Sequence, residues 1–275
     1  MKITCLIENT CENNDLGFEH GLSFYIETDK HRILSDTGAS DKFIVNAKKL
    51  GIDLSAVDTV VLSHGHYDHC GGVMAFSRLN YNAKIYLNSA ADGDYYHIDS
   101  NENRYIGIDR ELLSLPNIKL IEGNFKVDDE VFIINSVKTN RLQPLTNSAL
   151  KSKVQNGILP DDFCHEQYLE IRSNNKTVLI SGCAHKGIVN IMEAYRDLRG
   201  SDPDMVISGF HTINNNGYSE QEIELIKEIG SELKEFKSKF CTCHCTGIEP
   251  YEILKEVMGE QISYISTGMI IEVDN

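Results

Sequence analysis

The stretch Ser63-His64-Gly65-His66-Tyr67-Asp68-His69-Cys70-Gly71-Gly72 decides the fold of this 275-residue chain. It follows residues 57–62, where a Val-Val-Leu run after an acidic turn predicts a buried strand. Residues 73–79, directly after it, predict a helix. The sequence therefore puts three histidines and one aspartate into a turn between a strand and a helix.

Imidazole and carboxylate are the usual protein ligands of zinc, iron and manganese. A strand-to-helix turn can aim His64 and His66 at one ion, and Asp68 and His69 at a second ion a few Å away. The alternative is a solvated polar loop, but this pattern should arise by chance on the order of once per thousand such chains. We therefore interpret the stretch as a metal-binding motif.

Further histidines follow other predicted strands. His185, with Cys183 beside it, comes after residues 177–181, His211 after 205–208 and His244 after 240–243. Strand-like and helix-like segments alternate along the chain, which indicates an α/β fold. Because ligands collect at strand ends in such folds, these loops predict one shared site.

In two long segments, about 89–116 and 138–165, the apolar residues follow neither a helical nor a strand period. We interpret these segments as possible lids or insertions beside the site. Helices are predicted over 41–50, 187–198 and 219–237, and residues 168–172 and 177–181 predict a hairpin.

The composition excludes several classes of protein. A formal net charge of −15 repels phosphate backbones, so no nucleic-acid partner is expected, although a small anionic substrate is not excluded. No run approaches the roughly 18 apolar residues of a membrane span, and the N-terminus does not resemble a signal peptide. We expect a cytoplasmic protein without a membrane partner. The composition leaves the oligomeric state open.

Without an export signal, the eight cysteines are expected to be free thiols. Cys241, Cys243 and Cys245 do not predict a separate structural zinc site, because alternate strand residues share a face and no second Cys pair supplies ligands. No GxGxxG, GxxxxGK[ST] or GxSxG motif is present.

The central stretch resembles the HxHxDH signature of the metallo-β-lactamase superfamily, and Asp36-Thr37-Gly38 resembles the DTG that precedes it. Residues 182–190, 208–211 and 244–247 are similar to the branch named for 7,8-dihydropterin-6-yl-methyl-4-(β-D-ribofuranosyl)aminobenzene 5′-phosphate synthase. The resemblance implies a four-layer αβ/βα sandwich with two facing mixed sheets and helices outside. It also implies a single domain over residues 1–275, with the site at one edge between the sheets.

The resemblance implies a first metal site with His64 and His66, which we expect His185 to complete, and a second with Asp68, His69 and His244. Most hydrolases of this fold carry a bridging aspartate where this chain has Cys183, which is either a metal ligand or a buried thiol. They also carry a mid-chain histidine, for which His165 is a weak candidate. Asp36 is expected to orient a metal-binding histidine.

The expected function is hydrolysis of a small, phosphorylated or pterin-like substrate by a metal-activated water. The cofactor would be one or two divalent ions, zinc first, with iron or manganese as alternatives. Asp68 would position the nucleophile, and His211 would act as a general acid, contact the substrate, or serve only as a hydrogen-bonded loop residue. Two alternatives stay open: a di-iron oxidoreductase on the same fold, and a non-enzymatic ligand-binding module that retains metal.

Overall fold

The structure is a computed structural model that describes residues 1–100, 103–138 and 141–273. Eighteen strands are assigned along the described residues: β1 Lys2–Ile7, β2 Ser23–Glu27, β3 Arg32–Ser35, β4 Thr59–Val61, β5 Lys84–Asn88, β6 Asp94–Ile98, β7 Asn103–Tyr105, β8 Ile118–Ile121, β9 Phe125–Lys126, β10 Val131–Ile134, β11 Leu150–Val154, β12 Gly157–Pro160, β13 Tyr168–Ser173, β14 Lys176–Ser181, β15 Met205–Ser208, β16 Lys239–Thr242, β17 Ile262–Tyr264 and β18 Ile270–Glu272. The α-helices are α1 Lys42–Lys49, α2 Tyr67–Cys70, α3 Val73–Leu79, α4 Ile188–Arg199, α5 Glu220–Leu233 and α6 Ile248–Met258.

The strands form two large mixed sheets of seven strands each. Sheet one has the order β18-β1-β2-β3-β4-β5-β8, and sheet two has the order β17-β16-β15-β14-β13-β10-β9. In sheet one β3, β4, β5 and β8 are parallel neighbours, and in sheet two β14 to β17 are parallel neighbours. Parallel strands bring their carboxyl ends to one edge of each sheet, and the loops that carry the histidines start there.

Alternating side chains divide each sheet between two cores. In β13 and β14, Leu169, Ile171, Val178 and Ile180 join one cluster with residues of sheet one such as Phe24. The opposite faces of the two sheets pack against helices. Phe43 of α1 and Phe76 of α3 cover sheet one, while Met192 of α4, Ile229 of α5 and Leu254 of α6 cover sheet two. The layers are therefore helix, sheet, sheet and helix, which confirms the predicted four-layer αβ/βα sandwich.

Local signals explain where several elements begin and turn. The predicted hairpin is β13 and β14, joined by Asn174 and Asn175, both with positive φ, as a two-residue turn of this twist requires. Helix α5 starts at a capping box between Ser219 and Glu222, which satisfies backbone N–H groups of its first turn. The helices predicted over 41–50, 187–198 and 219–237 correspond to α1, α4 and α5.

The two segments without a clear period pair with each other. Strand β6 lies between β7 and β11, and β12 completes a four-stranded antiparallel sheet of order β12-β11-β6-β7. We call this the cover sheet. Residues 101–102 and 139–140 of these segments lie outside the described residues. The strands in these segments could not be predicted from the sequence because they are short and partly exposed. They therefore lack the alternation of apolar and polar residues that marks a half-buried strand.

Among the described residues, no helix is long and apolar enough to cross a membrane.

Candidate metal centre

The predicted site residues converge at the edge where the strand ends of both sheets meet. The HxHxDH loop leaves β4 of sheet one, while Cys183 and His185 follow β14, His211 follows β15 and His244 follows β16 of sheet two. Glycines allow the loops to approach closely. A Cβ on Gly72 would lie 2.2 Å from the Thr37 carbonyl oxygen, and a Cβ on Gly182 would lie 2.2 Å from Ser63 Oγ.

His64, Cys183 and His185 form the first donor set, with ligand atoms within 4.8 Å of one another. The Nε2 atoms of His64 and His185 lie 3.4 Å apart. All three side chains are buried. His64 and His185 are two of the three imidazoles that the resemblance implies for the first metal, and Cys183 is the cysteine whose role the sequence left open.

Asp68, His69, Cys183 and His244 form the second donor set. His69 Nε2 lies 3.2 Å from Cys183 Sγ and 3.6 Å from Asp68 Oδ2, and His244 Nε2 lies 3.3 Å from the same Asp68 oxygen. Because Cys183 belongs to both sets, its sulfur lies between them. A bridging ligand would occupy this position.

Hydrogen bonds at Nδ1 orient four of these imidazoles. His69 Nδ1 lies 2.7 Å from Asp36 Oδ2, His244 Nδ1 lies 2.7 Å from Asn9 Oδ1, and His185 Nδ1 lies 3.1 Å from Asn147 Oδ1. His64 Nδ1 lies 2.9 Å from Ser63 Oγ, which donates its own proton to Asp36. Oxygen acceptors at Nδ1 fix the proton there and leave the Nε2 lone pair directed into the site, as in metal-ligating histidines.

The buried position controls the charges of these groups. Burial and neighbouring imidazoles lower the pKa of His64 and of His185, and burial lowers the pKa of His244 to about 3, so these side chains are neutral at pH 7. Burial alone would lower the pKa of His69 as well, but the Asp36 and Asp68 carboxylates raise it to about 9. An ion bound at His69 would therefore displace a proton.

One buried nitrogen of the second set tests whether a cation fits this centre. The Nε2 atom of His244 lies 3.3 Å from Asp68 Oδ2 but makes no hydrogen bond among the described residues. An orphaned buried polar atom costs about 1–3 kcal/mol, so native structures rarely retain one without a partner. Imidazole, carboxylate and thiolate are ligands of zinc and iron. The residues present therefore fit one or two divalent cations.

The ring centroid of His66 lies 4.5 Å from that of His64 and 5.0 Å from that of His185, but its ligand atom is not grouped with theirs. Its Nε2 atom belongs instead to a set with Asp161 and His165, and lies 3.9 Å from Asp161 Oδ2. His165 Nδ1 accepts the Gly65 N–H at 3.0 Å, so its proton must be on Nε2, which faces Asp161 at 3.2 Å. A histidine with both nitrogens engaged in this way is a poor metal ligand. The geometry thus favours a positioning role for His165 under the HxHxDH loop.

His211 lies at the wall of the same centre, with its ring centroid 4.2 Å from that of His185. Its backbone φ is +50°, a left-handed conformation that non-glycine residues rarely adopt, and such outliers cluster at functional sites. Burial and neighbouring imidazoles lower its pKa to about 3. His211 is therefore neutral at pH 7 and offers a single N–H group.

A pocket of about 90 Å³ opens onto the centre. Its lining includes His66, Asp68, Cys183, His185 and His211. The cover sheet contributes His97, Arg104 and Leu150 to the lining of this pocket. Arg104 donates to the Tyr67 hydroxyl at 3.1 Å and lies over the Tyr67 ring.

Two buried glutamates hold the histidine loops of sheet two. Glu166 accepts the backbone N–H of His185 at 2.6 Å and of Lys186 at 3.1 Å. Glu8 accepts the backbone N–H of His244 at 3.0 Å. Desolvation by burial raises the pKa of both carboxyl groups. We call these arrangements the Glu166 clamp and the Glu8 clamp.

Both the sequence and the structure of this chain are similar to those of known proteins. A sequence model of the metallo-β-lactamase superfamily matches residues 16–134. The crystal structure of Tm1679, described as a metal-dependent hydrolase of the β-lactamase superfamily, is 30% identical, covers 100% of both chains and has a TM-score of 0.84. The chain belongs to the metallo-β-lactamase superfamily. This confirms the resemblance inferred from the motif, and membership supports a metal-dependent enzyme.

Other relatives of the superfamily differ in what their names say. A protein of Methanocaldococcus jannaschii named 7,8-dihydropterin-6-methyl-4-(β-D-ribofuranosyl)-aminobenzene-5′-phosphate synthase is 29% identical over 281 residues, which are 94% of this chain and 92% of the relative. Zn²⁺-bound PqqB from Methylobacterium extorquens is 11% identical, with a TM-score of 0.60 over 99% of this chain and 100% of that one. The second likeness shows the shared fold alone.

Several residues that shape the centre were not predicted from the sequence: Glu8, Asn9, His20, Tyr67, Arg104, Asn147, Asp161, Glu166 and Cys245. His20, for example, lies 3.3 Å from Asp68 at the pocket. Most are single polar residues far along the chain from the motif, and no spacing pattern marks them. One sequence signal was available for Glu166, because the polar run His165-Glu166-Gln167 directly precedes a predicted strand. The structure buries all three side chains.

Proposed function

We propose that this protein is a metal-dependent hydrolase that uses an activated water on a small, phosphorylated substrate. One observation carries the proposal: two sets of oriented imidazoles share the Cys183 sulfur, and Asp68, Cys183 and His185 of these sets line one open pocket. Structural zinc sites are closed by four protein ligands. Donor sets that face an open pocket favour catalysis over a purely structural ion.

The donor sets assign roles to the residues. His64 and His185 would hold one divalent cation, Asp68, His69 and His244 a second, and Cys183 would contribute to both. When bound, the cation supplies Lewis acidity and lowers the pKa of water toward about 7. Zinc is the expected ion, and iron and manganese are the alternatives.

The chain's own groups would position the reactants. The Asp68 carboxylate lines the pocket, where it can accept a hydrogen bond from the attacking water. Burial opposes ionisation of Asp68, but the neighbouring His69 and His20 outweigh this effect and hold its pKa well below the usual range. His211 would donate its N–H to the leaving group as a hydrogen bond, because a side chain with a pKa of about 3 is not a cationic acid at pH 7.

The pocket favours a phosphorylated substrate. Its volume of about 90 Å³ admits a group of phosphate size, and the rest of a larger molecule would lie against the cover sheet. Arg104 puts a guanidinium at the pocket wall of a chain whose net charge is −15. Guanidinium groups match phosphate oxygens in geometry and charge.

The name of the Methanocaldococcus jannaschii relative supports a second candidate, a synthase that forms a phosphorylated pterin-containing product. The same pocket would then exclude water and admit a second organic substrate. A di-iron oxidoreductase is less well supported, because the bridging position holds Cys183 rather than a carboxylate.

The test is hydrolysis by the purified protein after loading with zinc, manganese or iron in turn. The substrates would be nitrophenyl phosphomonoester and phosphodiester, a lactone and a thioester. We expect phosphoester hydrolysis that is lost in His64→Ala and Asp68→Asn and retained in His31→Gln, a control at the opposite edge of the sheets. A protein that binds metal but hydrolyses none of these would refute the hydrolase proposal, and bound redox-active iron would favour the oxidoreductase.

A further inference from the structure

A third donor set lies at the pocket wall, beside the two sets assigned above. The ligand atoms of Cys183, His211 and Cys245 lie within 4.8 Å of one another, and all three side chains line the pocket. Cys245 takes no part in the arrangement that the superfamily motif implies. It is the second sulfur at the pocket, on the loop that follows β16.

The surrounding backbone makes room for the Cys245 sulfur. A Cβ on Gly209 would lie 2.4 Å from Cys245 Sγ, so only glycine fits at that position without displacing the thiol. The sulfur lies 3.8 Å from the Cys183 carbonyl oxygen, at the distance limit of a weak sulfur hydrogen bond. The thiol is therefore buried, close to Cys183 and without a strong hydrogen bond.

His211 supplies the independent observation. Its Nδ1 atom is buried and has no hydrogen-bond partner among the residues that the structure describes. Its backbone is in the left-handed region, and its side chain lines the pocket together with Cys183 and Cys245. An orphaned imidazole nitrogen next to two thiols is satisfied by a cation that all three can bind.

The other cysteines of the same stretch differ from Cys245. Cys241 and Cys243 are packed in the core between the two sheets, and Cys241 Sγ lies 3.4 Å from Ser263 Oγ. Three cysteines at alternate positions would share one face of a continuous strand, but β16 ends at Thr242. The following short 3₁₀ helix turns Cys245 out of the core and into the pocket.

We propose that Cys183, His211 and Cys245 form a thiolate-rich cation site that takes a soft ion such as zinc or cadmium in preference to magnesium or manganese. Soft thiolate donors select such ions, and hard oxygen donors select the others. Binding releases the proton of each thiol and involves no change in oxidation state. Because Cys183 also belongs to the other two sets, an ion here competes with them for its sulfur.

The test is titration of the metal-free, reduced full-length protein with Cd²⁺, followed by the ultraviolet charge-transfer absorption of cadmium–thiolate bonds. We expect wild-type protein to show two cadmium-bound thiolates. Cys245→Ser and Cys183→Ser should each reduce the absorption to roughly half, since each removes one of two thiolates. The matched control is Cys241→Ser, which replaces a buried cysteine of the same stretch outside the pocket and should leave the absorption unchanged.

Each other outcome overturns the proposal. Wild-type absorption in Cys245→Ser would show that Cys245 does not bind the ion. A single thiolate in wild-type protein, lost only in Cys183→Ser, would leave Cys183 as the sole sulfur ligand. Loss of two free thiols in protein purified without a reductant, absent from Cys245→Ser, would indicate a Cys183–Cys245 disulfide instead.

A second measurement needs no variant and does not depend on the folding of Cys245→Ser. The ¹¹³Cd NMR shift of wild-type protein distinguishes an ion with two sulfur ligands from an ion with one. A signal with two sulfurs is expected, and a spectrum without one refutes the site. Neither measurement uses a substrate, so this proposal and the proposed hydrolase activity can fail independently.

Discussion

The Glu166 clamp and the Glu8 clamp perform the same task in different ways. In each, a fully buried carboxylate accepts the backbone N–H of a strand-end histidine and a tyrosine hydroxyl, from Tyr168 at 2.6 Å and from Tyr264 at 3.1 Å. In each, an asparagine oxygen faces the Nδ1 atom of the same histidine. The two loops are thus held at both backbone and side chain.

The clamps differ in the sequence separation between glutamate and histidine and in whether the two residues belong to the same sheet. Glu166 lies 19 residues before His185, at the start of β13 in the same sheet. Glu8 lies 236 residues before His244, at the end of β1 in the other sheet. Each glutamate also accepts a second backbone N–H, which Glu166 receives from Lys186, the residue after His185, and Glu8 receives from Thr10 beside it in the chain. The first donor set is therefore oriented from within sheet two, and the second set depends on contact between both sheets.

The largest effect is expected when a histidine is removed from one donor set, which should abolish metal binding by that set. His185→Ala should lose the ion of the first set, and His244→Ala the ion of the second, because each removes an imidazole whose Nε2 atom faces that set. We expect two zinc ions per wild-type chain and one per chain in each variant, measured by elemental analysis after dialysis. Loss of both ions in either variant would show that Cys183 couples the sets too strongly for them to fill separately.

A smaller loss of metal binding is expected when the carboxylate of each clamp is replaced by a neutral amide. Glu166→Gln and Glu8→Gln each put an amide NH₂ against a buried N–H group, which should destabilise the metal-free protein by about 1–3 kcal/mol. Loss of such outer partners also weakens metal binding by roughly 10–100-fold. Urea unfolding and competition with a chelator measure the two effects.

The two clamp variants should affect different ions. Glu166→Gln is expected to weaken only the ion of the His64–His185 set, and Glu8→Gln only that of the Asp68–His69–His244 set. If Glu8→Gln weakens neither ion, the contact between the sheets is not needed to orient His244.

The asparagines allow a finer comparison. Asn147→Ala and Asn9→Ala each remove the oxygen that fixes the histidine tautomer, with an expected loss of roughly 10-fold in metal affinity. The effect should be larger for Asn9, because its amide also lies 3.1 Å from His20 Nδ1, and His20 faces Asp68. Isothermal titration with zinc would measure it, and equal losses would count against a role for His20.

The smallest effect concerns the opposite edge of the sheets, where His31 lies between Asp58 at 2.8 Å and Asp128 at 2.6 Å. Partial burial opposes protonation, but the two carboxylates outweigh it and raise the pKa of His31. Protonated His31 therefore stabilises the folded protein. This contribution is complete below the ordinary histidine pKa of about 6.5 and is lost as pH rises through the higher pKa of the folded state.

His31→Gln should therefore reduce stability by less than about 1 kcal/mol near pH 6, since the partners are largely exposed, and by less still near pH 9. Thermal unfolding at both pH values measures the difference. Zinc affinity should not change, and a change would mean that this edge also affects the Glu8 clamp.

Much of the fold and part of the site could be read from the chain because the signals are local. The buried run before His64, the capping box at Ser219 and the Asn174-Asn175 turn each depend on residues close in sequence. The HxHxDH stretch is of the same kind, since one turn between β4 and α2 carries all four side chains.

The cover sheet and the clamps could not be predicted in the same way. The pairing of β6 with β11 joins residues more than fifty positions apart, and short, partly exposed strands leave no period that reveals their partner. The grouping of the His66 Nε2 atom with Asp161 and His165 was likewise invisible in the spacing.

The sequence alone determined the layered α/β fold, the histidine and aspartate loop, and the presence of further histidines at strand ends. Only the tertiary structure decided which donors share a set, that Cys183 lies between two sets, and that Cys245 faces the pocket while Cys241 faces the core. The physical reason is the distance along the chain over which each kind of interaction acts. Backbone periodicity acts over a few residues, whereas the direction of a side chain at a strand end depends on buried groups contributed by distant parts of the chain.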